Sequence, residues 1–178
     1  MRAGRGAALA GAAAAALALP GPLAAGRLVL DLGTGTLNGR QVLGRPLDAA
    51  VAALLTSGIG PPTARIDLGA GIVALRFGPE RGFRALVLLR PTGAGEIATA
   101  LATEAADVSD PKAGPLLAEK PKLAVARALR AYGSAFRHER CVPACPLHLL
   151  SADGRLRVAF GSAAGWRYVR VELARAAS

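Results

Sequence analysis

The sequence predicts an α+β protein built as two tandem helix-plus-antiparallel-meander repeats. Three observations lead there. The phrase Phe77-Gly78-Pro79-Glu80-Arg81-Gly82-Phe83-Arg84 returns 83 positions later as Phe160-Gly161-Ser162-Ala163-Ala164-Gly165-Trp166-Arg167. Each copy stands between runs of alternating apolar residues, the pattern of a strand, a Gly-bounded turn and a returning strand. Upstream of each set of strands, Pro46 and Pro121 open segments with helical apolar spacing, as proline does in a first helical turn.

Residues 1 to 26 come first. Arg2 and Arg5 precede an Ala/Leu run over residues 7 to 19, broken by Pro20-Gly21-Pro22 and followed by small residues. That is the plan of a secretory signal, cleaved near Ala25 or Gly26, and the run falls short of the roughly 20 residues a membrane span needs. No later stretch is apolar for long enough, so the mature chain is expected outside the cytoplasm, secreted or periplasmic, without a span. The formal charge of +10 comes mostly from arginine, 19 of 22 basic residues. The arginines are scattered, without the basic blocks and aromatic interleaving of a phosphate-tracking groove, so a nucleic-acid partner is not expected.

The first repeat is expected over residues 27 to 90. Residues 28 to 32 read as a strand ending in the turn Gly33-Thr34-Gly35. This stretch is similar to the first motif of nucleoside methyltransferases and to the phosphate hairpin of the actin and sugar-kinase superfamily. Both need what is missing here: a helix directly after the turn, or two large lobes. Asn38-Gly39 instead signals a second hairpin turn. After Pro46, Leu47, Val51, Leu54 and Leu55 share a helical face, and the helix should stop by Gly58 or Gly60. Strands follow over residues 64 to 68, 72 to 77 and 83 to 90, the first entered from Pro61-Pro62.

Gly44, the short helix with Val51, and Gly60-Pro61-Pro62 before antiparallel strands resemble the opening of the β-lactamase-inhibitory-protein and small outer-membrane-assembly lipoprotein superfamily. The resemblance covers residues 44 to 90 and, more loosely, the second repeat. Thr56-Ser57-Gly58-Ile59 is inserted relative to that pattern, and the lipoproteins' anchor Cys is missing. The resemblance implies export and two helix-plus-meander units whose sheets form a concave binding face; it implies no functional residue.

Residues 91 to 120, rich in Ala, Gly, Pro and Thr, read as a linker with a short helix over 96 to 106. The second repeat, 121 to 178, begins with a helix whose Leu123, Ala126, Leu129 and Tyr132 share a side. Its strands are expected over 147 to 151, 155 to 160 and 166 to 173, with Asp153-Gly154 at a hairpin. Leu156, Val158, Phe160, Val169, Val171 and Leu173 alternate toward a core, which turns Arg155, Arg157, Trp166, Tyr168, Arg170 and Glu172 outward. Trp, Tyr and Arg dominate binding hot spots, so these six are the candidate partner-binding residues, and the partner class is another exported or envelope protein. The same residues would also suit a solvated face on which guanidinium groups stack over rings.

Both histidines and both cysteines fall within residues 138 to 148. In an exported chain a lone cysteine pair implies a disulfide, here Cys141 with Cys145, a small local staple. The alternative is a metal: His138, Cys141, Cys145 and His148 form a valid tetrahedral set for Zn, and soft sulfur suits Cu. Cys-x-x-x-Cys-Pro is similar to the motif of the exported copper chaperones of cytochrome oxidase assembly, where the motif follows its strand rather than preceding it. No serine stands in a nucleophile elbow and the acidic residues are few, so the residues point to no catalytic constellation. The expected function is a non-enzymatic binding or inhibitory module that needs no cofactor. Its rival is a small metal-binding or thiol redox protein using Cys141 and Cys145.

Overall fold

A computed structural model of the 178-residue chain describes residues 27–79, 83–139, 147–163 and 166–174, with Ala163 and Trp166 described through their backbone. Three short strands, β1 (Leu30–Asp31), β2 (Thr36–Leu37) and β3 (Arg40–Gln41), form a small antiparallel sheet. Asn38 and Gly39 both have positive φ, 47° and 74°, as the two-residue turn between β2 and β3 requires. The Gly-rich stretch is therefore a hairpin, not the entry to a cofactor helix.

Helix α1 (Leu47–Thr56) starts directly after Pro46. Four strands follow: β4 (Pro62–Asp67), β5 (Val73–Phe77), β6 (Ala85–Thr92) and β7 (Gly95–Thr103). A minor hairpin, β8 (Ser109–Asp110) and β9 (Gly114–Pro115), precedes α2 (Pro121–Tyr132), which carries Pro121 in its first turn. Four more strands follow among the described residues: β10 (Phe136–His138), β11 (His148–Ser151), β12 (Leu156–Ala163) and β13 (Trp166–Leu173). One antiparallel sheet of eight strands, in the order β10-β11-β12-β13-β7-β6-β5-β4, holds both sets.

Three expectations are corrected. Residues 96 to 106 hold no helix, because Gly95–Thr103 is β7, a central strand of the sheet rather than part of a linker. Alanines favour helices in isolation, but here their small side chains fit a strand flanked on both sides, and the surrounding sheet overrides propensity. Each meander has four strands, β7 and β10 being the additions. The buried side of α2 carries Ala124, Val125 and Ala128, while Leu123 is 56% exposed. The helix is rotated so that these residues face β12, the strand that α2 contacts.

Among the described residues the large core side chains of the sheet lie on one face. Leu75, Phe77, Val87, Leu89, Leu101, Val158, Phe160, Val169 and Val171 pack there with Leu54 of α1, Ala124 and Ala128 of α2, and the leucines at 28, 30, 32 and 37. Ala74, Ala100, Ala102 and Ala159 are also buried, yet they stand outside that cluster because they point to the opposite face, shielded by larger neighbours. We call the two sides the helix face and the open face.

A polar clasp fixes the N-terminal hairpin to α2. Asp110, 3% exposed, accepts backbone N–H bonds from Leu32, Lys112 and Ala113 and the Tyr132 hydroxyl at 2.7 Å. Asp31 lies 3.2 Å from the same hydroxyl and accepts from the Gly33 N–H at 2.8 Å. Burial, then the hydrogen bond to Asp110, pushes the Tyr132 phenol well above its ordinary range. These carboxylates are saturated by fixed donors, which is a structural use of acid groups.

Candidate functional site: the open face of the sheet

The ladder registers define continuous cross-strand rows on the open face. One runs Ile66, Ala74, Leu88, Ala100, Glu172, Arg157, Leu150, Arg137 through all eight strands. The next runs Ala64, Arg76, Leu86, Ala102, Arg170, Ala159, His148. Facing residues in a ladder share a side, so each row is a line of side chains across the sheet. Apart from Arg76, the β4 to β7 half of both rows is apolar. Glu139 and Glu172 gather with Arg137, Arg157 and Arg170 on the β10 to β13 half, while Arg90 of β6 adds a second cation on the other.

Arg157 is the hub of that charged half. Its Nε donates to both oxygens of Glu139, at 2.7 and 2.8 Å, and its Nη1 donates to Glu172 Oε1 at 2.9 Å. Arg170 Nε lies 3.1 Å from Glu172 Oε2, an ion-pair distance without hydrogen-bond alignment. His148 Nδ1 lies 3.4 Å from Glu139 Oε2. The hydrogen bonds to Glu139, and after them those to Glu172, raise the Arg157 guanidinium above its ordinary value. Both carboxylates are largely covered, with side-chain exposures of 12% and 17%. The network is therefore rigid and partly desolvated rather than a fringe of solvated pairs.

Tyr168 is committed differently. It pairs with Gly161 across the ladder, and a Cβ on Gly161 would fall 2.3 Å from the tyrosine ring. The ring thus lies over the glycine backbone, which only a residue without a side chain permits. Between the two halves a depression of about 540 Å³ is bounded by Leu88, Arg90, Ala100, Arg157 and Glu172.

Four of the six residues expected to bind a partner, Arg157, Tyr168, Arg170 and Glu172, come together on this face. Arg155 sits apart at the strand end, 84% exposed and 3.8 Å from Asp153. The Trp166 side chain lies outside the described residues. Glu139 is the member that sequence reasoning missed: β10 is too short to show alternation, and its position opposite His148 is set by the fold.

Of the alternative metal set, His138 pairs with Leu149, which is buried on the helix face, while His148 stands on the open face beside Glu139. The two imidazoles thus start from opposite sides of the sheet, and Cys141 and Cys145 lie outside the described residues, as do residues 1 to 26. Among the described residues no three His, Cys, Asp or Glu side chains converge as a metal site, and no helix is long and apolar enough to cross a membrane. No protein-family model matches this chain, and neither a curated protein nor a solved structure matches it.

Proposed function

We propose that this chain is an exported, non-enzymatic binding or inhibitory module that captures another exported or envelope protein on the open face of its sheet. The observation that carries the reading is the division of that face into a half that is apolar but for Arg76 and Arg90 and a preorganised charged half built on Arg157, Glu139 and Glu172. Fixed charges give register and partner choice more than raw affinity. Eight strands at about 4.8 Å spacing span about 34 Å. With strands of up to nine residues, this is a platform on the scale of the roughly 800 Å² per partner of a standard interface.

Two related helix-plus-meander units underlie this platform. In support, α1 with β4 to β7 and α2 with β10 to β13 repeat the same order, and β7 and β13 lie side by side and antiparallel as a local two-fold would place them. The repeated Phe-Gly phrase is one strand out of step with that symmetry: it equates the β5–β6 hairpin with β12–β13, whereas sheet position equates it with β11–β12. Even so aligned, the registers differ by one residue, since Leu75 pairs with Val87 while Val158 pairs with Val171. Sheet position is the better guide to any duplication.

The test is capture from the native exported fraction with immobilised mature chain. Trp166→Ala and Arg170→Ala should each remove the captured species, and Leu123→Ala, on the exposed side of α2, should not. Equal capture by all forms would refute the reading.

A further inference from the structure

We propose that the chain forms a two-fold dimer by pairing β4 with β4 of a second copy, which joins two eight-stranded sheets edge to edge. The sheet has two outer strands of different character. β10 has three residues, a length that resists pairing, whereas β4 has six, five of them exposed. Pro61, Pro62 and the register shift between Pro62 and Ala64 blunt the start of β4 and leave residues 64 to 68 as a regular edge.

Charge selects the register. The Leu68 N–H donates inward to the Ile72 carbonyl, so by alternation the N–H and C=O groups of Arg65 and Asp67 point outward. An antiparallel copy can pair those outward residues in three neighbouring ways. Centring on Arg65 or on Asp67 sets two like charges directly opposite each other. Centring on Ile66 sets Arg65 opposite the second copy's Asp67 twice, with about four backbone hydrogen bonds between them. Arg65 spends one nitrogen on Glu96 at 2.7 Å, but its side chain remains 51% exposed and keeps further donors for Asp67.

Apolar exposure points to the same edge. The large apolar side chains left exposed among the described residues are Leu55, Ile66, Leu68 and Leu123. Ile66 and Leu68 belong to this edge on its open-face side, whereas Leu55 lines the groove between α1 and β4 on the helix face and is not part of the patch. In the Ile66-centred register Ile66 meets its own copy, and Leu68 meets Ala64 of the copy. The exposed patch and the charge pattern thus call for the same partner, a second copy of this chain.

Sedimentation of the mature chain across a concentration series up to the millimolar range tests the proposal. Wild type should show a species of twice the monomer mass. Arg65→Glu and Asp67→Lys should each raise the dimer Kd at least about tenfold, because each sets like charges opposite one another. Mixing these two variants should restore a dimer, because opposite charges then face again. Ile66→Lys, at an exposed position, should give a monomer with an unchanged far-ultraviolet spectrum, and it serves where a charge variant fails to fold. The proposal is overturned by a wild type that stays monomeric throughout, by a dimer that survives Ile66→Lys or both charge changes, or by folded charge variants that do not associate when mixed.

Discussion

Replacing Arg157 by Met removes the hub of the open-face network while keeping most of its apolar stem. An exposed ion pair contributes at most about 1 kcal/mol, and breaking a fully buried one costs about 3–5 kcal/mol. This site lies between those limits: the guanidinium is 31% exposed, whereas Glu139 and Glu172 are 12% and 17% exposed. Each carboxylate also keeps a second neighbour, the His148 imidazole at 3.4 Å from Glu139 and Arg170 at 3.1 Å from Glu172. A loss of about 2 kcal/mol follows, read in urea as a lower midpoint at unchanged slope. Arg157→Lys should recover only part of it, since an ammonium cannot reproduce the two-pronged contact with Glu139. A double-mutant cycle with Glu172→Gln should give a coupling of about 1 kcal/mol. Because the folded-state guanidinium is raised above its ordinary value, its contribution is fully present at all pH below that value and is lost only in strong alkali. The penalty for Arg157→Met should therefore not fade on the alkaline side of neutrality. A loss below about 0.5 kcal/mol would place the network among ordinary surface pairs and remove the basis for calling it preorganised.

Other outcomes can be checked alongside. Gly161→Ala should cost about 1–2 kcal/mol by displacing the Tyr168 ring, and little in a Tyr168→Ala background; equal costs in both would mean the ring does not lie on the glycine. Asp110→Ala strands three backbone donors and leaves the Tyr132 hydroxyl only Asp31 at 3.2 Å, so a loss of at least about 3 kcal/mol is expected by thermal or urea unfolding. Tyr132 is held protonated in the fold, so its share of stability is complete below the ordinary phenol value of about 10 and declines as pH rises beyond it. In Tyr168→Phe, where Tyr132 is the only tyrosine left of two, tyrosinate absorbance should appear only together with unfolding. Thiol titration should find Cys141 and Cys145 unreactive until reductant is added; two thiols reacting at once would end the disulfide expectation drawn from their spacing in the sequence.

Local chemistry was legible where it decides structure by itself. Asn38-Gly39 announced a turn with two positive φ values, Pro46 and Pro121 announced helix starts, and clean alternation through Leu156, Val158, Phe160, Val169 and Val171 announced two strands with one buried side. The outward Arg157, Tyr168, Arg170 and Glu172 followed from that alternation alone, because the period of a strand assigns faces without knowledge of neighbours. Ambiguity began where residues are small or segments short. The Ala-rich residues of β7 suit either helix or strand in isolation, and β10 is too brief to carry a period.

The sequence by itself determined turns, helix starts and which side of β12 and β13 faces the core, since each is a property of a few adjacent residues. The tertiary structure alone decided that β13 lies against β7, a partner about 70 positions away, and that Glu139 of the segment after β10 reaches Arg157 of β12. No periodicity encodes such distant pairings. They are settled by which ladders leave the fewest backbone groups unpaired while burying one common face, a condition that only the whole sheet can satisfy.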